Sequence, residues 1–158
     1  MKLHLLRHGK TQQQSSTGSD FDRELNPKGT IQCEMLSEYF KKIDLHCEVW
    51  CSTAKRTRQT YSRVNRAEQF DRVHMRDDLY LCSRDTMLTA LWERSEDEDL
   101  LIVGHNYGIS DLATYLTDVR IELRTGGYVC IEFEGFNWKE LSRGLGTIVD
   151  QYRPKVNL

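Results

Sequence analysis

No stretch of this sequence approaches the roughly 20 consecutive apolar residues that a membrane-spanning helix needs, so a membrane is not expected as a partner. Its cysteines, Cys33, Cys47, Cys51, Cys82 and Cys130, include no C-x-x-C pair. Odd in number and scattered, they fit reduced structural thiols rather than a disulfide framework or a zinc site. Neither sign of charge is in excess: 22 basic residues stand against 24 acidic ones, a formal net charge of -2. That balance predicts neither nucleic acid nor a membrane surface as a partner. There are no repeats, low-complexity tracts or linkers. The first residues, "MKLHLLRHGK", are too few and too polar for a signal peptide, and the expected location is the cytoplasm. What is there is 158 residues, 39% of them hydrophobic, enough for one core in a single domain over 1–158.

Apolar "KLHLLR" (2–7) reads as a strand ending at Gly9, followed by a polar, aperiodic segment over 11–25 that reads as a surface loop. Asn26 and Pro27 open a helix whose apolar positions, Ile31, Met35, Leu36 and Phe40, recur at helical spacing. "CEVWCS" (47–52) reads as a strand, with Ser52 or Thr53 capping the helix "AKRTRQTYSRVNR". "RVHM" (72–75) is a third short strand. The helix "SRDTMLTALWER" carries Met87, Leu88 and Leu91 inward; the acidic run after it reads as a solvated loop. "LLIVGHN" is the most strand-like segment and precedes the helix "YGISDLATYL". "YVCIEFEG", "WKELSR" and "GTIVDQY" read as short strands joined by turns. Strands alternating with helices predict a three-layer α/β/α sandwich with a mainly parallel central sheet.

Reactive groups fall at the ends of three of these strands: Arg7 and His8 after the first, Ser52 and Arg56 after the second, His105 after "LLIVG". In open α/β sheets, sites form at the carboxyl ends of strands, beside helix N-termini. The three segments would therefore converge into a cationic cradle. The fixed fork of arginine's donors matches a phosphoryl group, and an imidazole can accept one covalently. Gly9 would let the chain turn at once and keep His8 exposed.

"LLRHGKT" resembles the R-H-G signature of the histidine phosphatase superfamily, the phosphoglycerate-mutase-like fold, and more narrowly its short phosphohistidine phosphatases. "LNPKG" resembles the L-T-P-x-G opening of the first helix, and "CSTAKRTRQT" resembles S-S-P-x-x-R-x-x-Q-T. "DDLYLCSRDTMLTAL" is similar to an L-Y-containing segment, and "LIVGHNYGIS" to the strand carrying the second histidine. "RTGGYVCIEF" and the terminal "PKVNL" are similar to the C-terminal hairpin and tail. The resemblance implies that His8 is the nucleophile, that Arg7 and Arg56 clamp the non-bridging oxygens, and that His105 stabilises the transferring group. It further implies that Gly9, Ser52 and Asn106 contact substrate, and that no metal or cofactor is required.

The sequence departs from the family pattern at Lys10, Gln14, Thr53 and Ala54, and most of all at Leu81, which stands where many members place a glutamate that protonates the leaving alkoxide. The nearest acids are Asp77, Asp78 and Asp85; Asp78 is preferred, with the choice left open. An alkoxide, whose conjugate acid has a pKa of roughly 15, needs such a donor. An imidazole, with a pKa of about 6.5, needs it far less. A short chain without a cap insertion would also leave its pocket open to a phosphorylated protein. Phosphohistidine on a protein is therefore the expected substrate. The alternatives are a phosphatase of small phosphate esters, with an aspartate as acid, and a catalytically weak phosphate-binding member of the same fold. The sequence leaves monomer or dimer undetermined. His4 and His74 read as structural, His46 as a surface residue, and Trp50, Trp92 and Trp138 as packing residues. The basic run from Lys55 to Arg66 reads, Arg56 apart, as a solvated helix face.

Overall fold

The computed structural model describes residues 1–157, built around one six-stranded sheet. The strands are β1 (Lys2–Arg7), β2 (Glu48–Ser52), β3 (Val73–Arg76), β4 (Leu100–Gly104), β5 (Tyr128–Glu132) and β6 (Thr147–Tyr152), in spatial order β3-β2-β4-β1-β5-β6. The pairings β3-β2, β2-β4 and β4-β1 are parallel, and β1-β5 and β5-β6 antiparallel. The helices are α1 (Pro27–Lys42), α2 (Lys55–Val64), α3 (Arg84–Trp92) and α4 (Gly108–Thr117). This is the α/β/α architecture, parallel over four strands, that the alternation predicts.

Both faces of the sheet are covered, so the central strands are apolar without alternating polar positions. Leu3 and Leu5 of β1, Trp50 of β2 and Leu100 and Ile102 of β4 pack with α3 and α4. Leu6, Val49, Cys51, Leu101 and Val103 point the other way and pack with α1 and α2. His4 belongs to that second face, where its Nδ1 lies 2.7 Å from the Tyr128 hydroxyl. All five cysteines are free.

The elements differ from expectation in five places. "WKELSR" is no strand: Asn137 and Glu140 form a reciprocal capping box over the 3-10 turn Trp138–Glu140. The cap of α2 is Ala54, with no side-chain hydrogen bond; the Thr53 hydroxyl donates to Asp77 instead, at 2.7 Å. The buried stripe of α1 runs through Gly29, Gln32, Cys33, Leu36, Ser37 and Phe40, leaving Ile31 and Met35 only partly covered. The segment after α3 is not wholly solvated, because Arg94 is buried against Glu48, at 3.0 Å. Trp92 lies on the surface, its Nε1 donating to the Leu141 carbonyl; His74, also exposed, faces Glu48 at 3.2 Å.

The sheet order decides where the site lies. β1, β2 and β4 run parallel, so Arg7, Ser52 and Gly104 end at the same edge. β5 is antiparallel to β1 and starts at that edge; β6 is antiparallel to β5 and therefore finishes there. The segment after β6, 153–157, thus reaches the same edge.

Candidate active site

His8, held at the end of β1 by its N–H bond to the Gly104 carbonyl, is buried. Its Nδ1 lies 2.7 Å from the Gly9 carbonyl. A carbonyl only accepts, so Nδ1 carries the proton and the lone pair is on Nε2. Burial pulls the His8 pKa down to about 3, helped by the charges of His105, Arg56 and Arg7 and opposed by the Gly9 hydrogen bond. The ring is therefore neutral at any physiological pH, with an unprotonated nitrogen among cations.

Gly9 serves a different purpose from the turn expected of it. Its φ is not positive; a Cβ there would sit 2.9 Å from the Gly29 carbonyl, and one on Gly29 only 2.0 Å from the Lys10 carbonyl. The two glycines let the end of β1 lie against the first turn of α1. The Gly9 N–H is already used on the Thr60 hydroxyl, at 3.1 Å.

His105 follows β4, its ring centroid 5.4 Å from that of His8. Its Nε2 is hydrogen-bonded to the Ser52 hydroxyl at 2.7 Å, and Ser52 Oγ also receives the Ala54 N–H, at 3.4 Å. Ser52 thus fixes the imidazole. Burial and the Arg56 charge pull His105 down to about 3 as well. Arg56, in the first turn of α2, is almost fully buried. Arg7 donates from Nη1 to the Leu123 carbonyl at 3.2 Å. Asn106 donates to the same carbonyl at 2.9 Å and receives the Ser110 hydroxyl at 2.5 Å. Its amide is spent on holding the segment that anchors Arg7. Buried Arg7 Nε, Arg56 Nε and His105 Nδ1 have no partner among the described residues. A phosphoryl group brings acceptors of the kind these donors lack.

Asp20 was absent from the residues singled out by sequence. It sits on a 3-10 turn (Asp20–Asp22) within the 11–25 segment, capped by Ser19. Arg56 donates to its carbonyl at 2.8 Å and to its carboxylate at 3.0 Å, and the Tyr80 hydroxyl donates to the same carboxylate oxygen at 2.5 Å. Burial pushes the Asp20 carboxyl up, but the bonds from Tyr80 and Arg56 outweigh it and hold the pKa at about 2. Tyr80 packs between Phe21, at 5.0 Å, and His105, at 5.6 Å between centroids. The 11–25 segment is the expected surface loop near this edge, tied down over Arg56 by Asp20. Asp78 points elsewhere, in a two-pronged pair with Arg76 at 3.0 and 2.7 Å that holds its carboxyl below the usual range. Asp85 is paired with Arg84. Leu81 is exposed. Among the described residues no set of three or more His, Cys, Asp or Glu side chains gathers as metal ligands.

Residues 3–80, which supply His8, Arg7, Ser52, Arg56 and Tyr80, match the family model of the histidine phosphatase superfamily (branch 1). The chain belongs to the histidine phosphatase superfamily. A comparison with curated proteins by sequence finds no match. Among solved structures, this histidine phosphatase superfamily chain is similar to the SixA protein of Nakamurella multipartitia (TM-score 0.84, 24% identity, covering 98% of this chain and 96% of that one). It is also similar to the SixA protein of Agrobacterium tumefaciens (0.82, 22%, 97% and 97%). A third similar structure is the protein histidine phosphatase SixA complexed with tungstate (0.79, 17%, 97% and 97%). These likenesses extend the shared fold over nearly all of the chain, well beyond residue 80.

Proposed function

We propose that the protein is a metal-independent phosphatase whose His8 Nε2 takes the phosphoryl group, and that its substrate is phosphohistidine on a protein. The carrying observation is the bond from His8 Nδ1–H to the Gly9 carbonyl, which leaves a neutral ring with its lone pair on Nε2 beside two arginines. Nε2 forms a bond to phosphorus as the substrate's P–N bond breaks, and the electron pair leaves with the substrate imidazole. That ring departs neutral when its second nitrogen carries a proton from solvent. Water then attacks phosphorus, breaks the bond to Nε2 and releases inorganic phosphate. Arg7, Arg56 and His105 hold the developing charge, the largest single contribution in such sites. The tungstate-bound SixA supports the reading, since tungstate is a tetrahedral oxyanion like phosphate.

The carboxylates fit a P–N bond better than an ester. Asp20 is ionised and engaged with Arg56 and Tyr80, and Asp78 is bound to Arg76. Neither holds the proton that an alkoxide requires, whereas a phosphohistidine ring protonated by solvent at its second nitrogen leaves as neutral imidazole with no acid from the enzyme.

Phosphate release from a histidine-phosphorylated protein, in chelator, tests this directly. Wild type should turn over through an acid-labile, base-stable phosphoenzyme, and His8→Ala should lose both, a drop of at least about 10³-fold. Turnover of sugar phosphates or p-nitrophenyl phosphate with none on phosphohistidine would instead establish the ester reading. Binding of phosphate without turnover would make it a phosphate-binding member.

A further inference from the structure

Beside Arg7, on the side away from Arg56, the sheet edge holds a cavity of about 540 Å³. Six cations line it: Arg7, Lys10, Lys28, Arg124, Arg153 and Lys155, with no acidic side chain among its described walls. Among the described residues none of these six is in an ion pair. On the other side of the nucleophile the cations are compensated: Arg23 and Arg56 face Asp20, Arg76 faces Asp78, and Arg94 faces Glu48. A larger cavity of about 690 Å³ on the α3–α4 side has Asp85, Asp111 and Asp118 set among its arginines. Six uncompensated cations in a chain of net charge -2 are a local concentration, not a reflection of composition. Such a cluster repels itself unless an anion enters it.

The floor is built rather than incidental. Gln32, 4% exposed, accepts the Lys10 N–H at 2.8 Å and donates to the Thr125 carbonyl at 3.2 Å. It joins the R-H-G segment to the turn before β5. The far wall is the segment after β6, with Pro154 buried.

We propose that this cavity is a second anion site, which seats a carboxylate-rich stretch of the phosphorylated protein while its phosphoryl group lies between Arg7, Arg56 and His8. The proposal rests on the phosphohistidine reading above. Arg7 borders both compartments, so a ligand anchored in one is delivered to the other. A small monoester has no group to place in the second site; a protein segment does.

Two measurements separate this inference from the reading beneath it. In the first, phosphohistidine peptides with acidic flanks and with serine and glutamine flanks are compared on wild type and on the double variant Lys28→Glu, Lys155→Glu. The acidic flank should raise kcat/KM by about tenfold at low salt. That advantage should vanish in the double variant and at high salt, with p-nitrophenyl phosphate hydrolysis unaltered. Equal rates on both flanks overturn the second site while leaving the phosphatase intact. In the second, the unphosphorylated acidic peptide is titrated against both proteins by fluorescence anisotropy, which needs no turnover. Equal binding by the two proteins overturns the proposal even if phosphohistidine proves not to be the substrate. Tripolyphosphate binding with no peptide binding also overturns it, giving the site to a small polyanion. Arg153→Ala, milder in charge, should show the same loss in part.

Discussion

Arg56 meets a carboxylate of its own chain where a phosphoryl oxygen is expected, so Asp20→Asn should tighten phosphate binding. Asparagine keeps an acceptor for Arg56 Nη2 and Tyr80 and leaves the backbone bond from Arg56 to the Asp20 carbonyl in place, removing only the charge. A phosphate oxygen on Arg56 would lie about 5 Å from the Asp20 carboxylate. With an effective dielectric of about 60, suited to so exposed an acid, the repulsion is about 1 kcal/mol for each phosphate charge. That corresponds to about fivefold in affinity per charge. The assay is competitive inhibition by inorganic phosphate, or calorimetric titration, with wild type and variant compared at several salt concentrations. The gain should shrink as salt rises. It should not vary between pH 6 and pH 8 beyond the titration of phosphate itself, because a pKa of about 2 keeps Asp20 ionised throughout. Unchanged or weaker phosphate binding would refute the reasoning and show that the carboxylate orients Arg56 rather than competing for it.

Acid should weaken the fold ahead of the nucleophile. His4, His8 and His105 have folded-state pKa values of about 4, 3 and 3, below the unfolded 6.5. Between these values the unfolded chain binds more protons, so stability is full above 6.5 and falls as pH drops, by about 2 kcal/mol per histidine at pH 5. A urea midpoint unmoved between pH 7 and pH 5 would contradict this. Asp78→Asn should leave phosphohistidine turnover within about twofold, since its partner Arg76 is also at the surface; a large loss in steady-state rate would restore Asp78 as the acid. Gly29→Ala should cost at least about 2 kcal/mol in urea unfolding, because its Cβ would meet the Lys10 backbone. Ser52→Ala should cost about 1–3 kcal/mol by leaving His105 Nε2 buried and unpaired. It should lower kcat more than it raises KM.

What sequence showed well was whatever is local or periodic. β1, β2 and β4 are short apolar runs, and the reactive residues directly after them could be placed at one edge by the parallel-sheet rule alone. Asn26 announced its helix by the cap it makes to Gly29. The failures share a cause: partners far apart in sequence. Gln32 is absent from the apolar stripe expected of α1, yet its amide is used by Lys10 and Thr125, so it takes a core position that Ile31 and Met35 do not. Arg94 lies in a charged run, and only the fold brings it to Glu48, 46 residues away. Asp20 is the costliest miss. Nothing in "SDFDREL" distinguishes its carboxylate from that of Asp22, and the partners that do, Arg56 and Tyr80, lie 36 and 60 residues on.

The charge around His8 is divided unevenly, and the division bears on how a substrate enters. On the Arg56 side the positive charge is met by Asp20, with Tyr80 and Phe21 packed beside it. On the Arg7 side, lysines and arginines line a cavity with no carboxylate among its described walls, the nearest acid being Glu122 of the adjoining cavity. An approaching anion therefore meets an attractive field on one side of the nucleophile and a neutralised one on the other. With the walls of low dielectric, such asymmetry steers encounter as well as binding. Arg7 would engage the phosphoryl group first, and Arg56 second, after Asp20 yields. Two variants separate these steps: Lys28→Glu should slow association and make it less dependent on salt, whereas Asp20→Asn should not slow association and should chiefly slow release. Stopped-flow binding of a non-hydrolysable oxyanion such as tungstate resolves the two. Equal effects of both variants on the association rate would show that there is no order, and that the two arginines act as a single clamp.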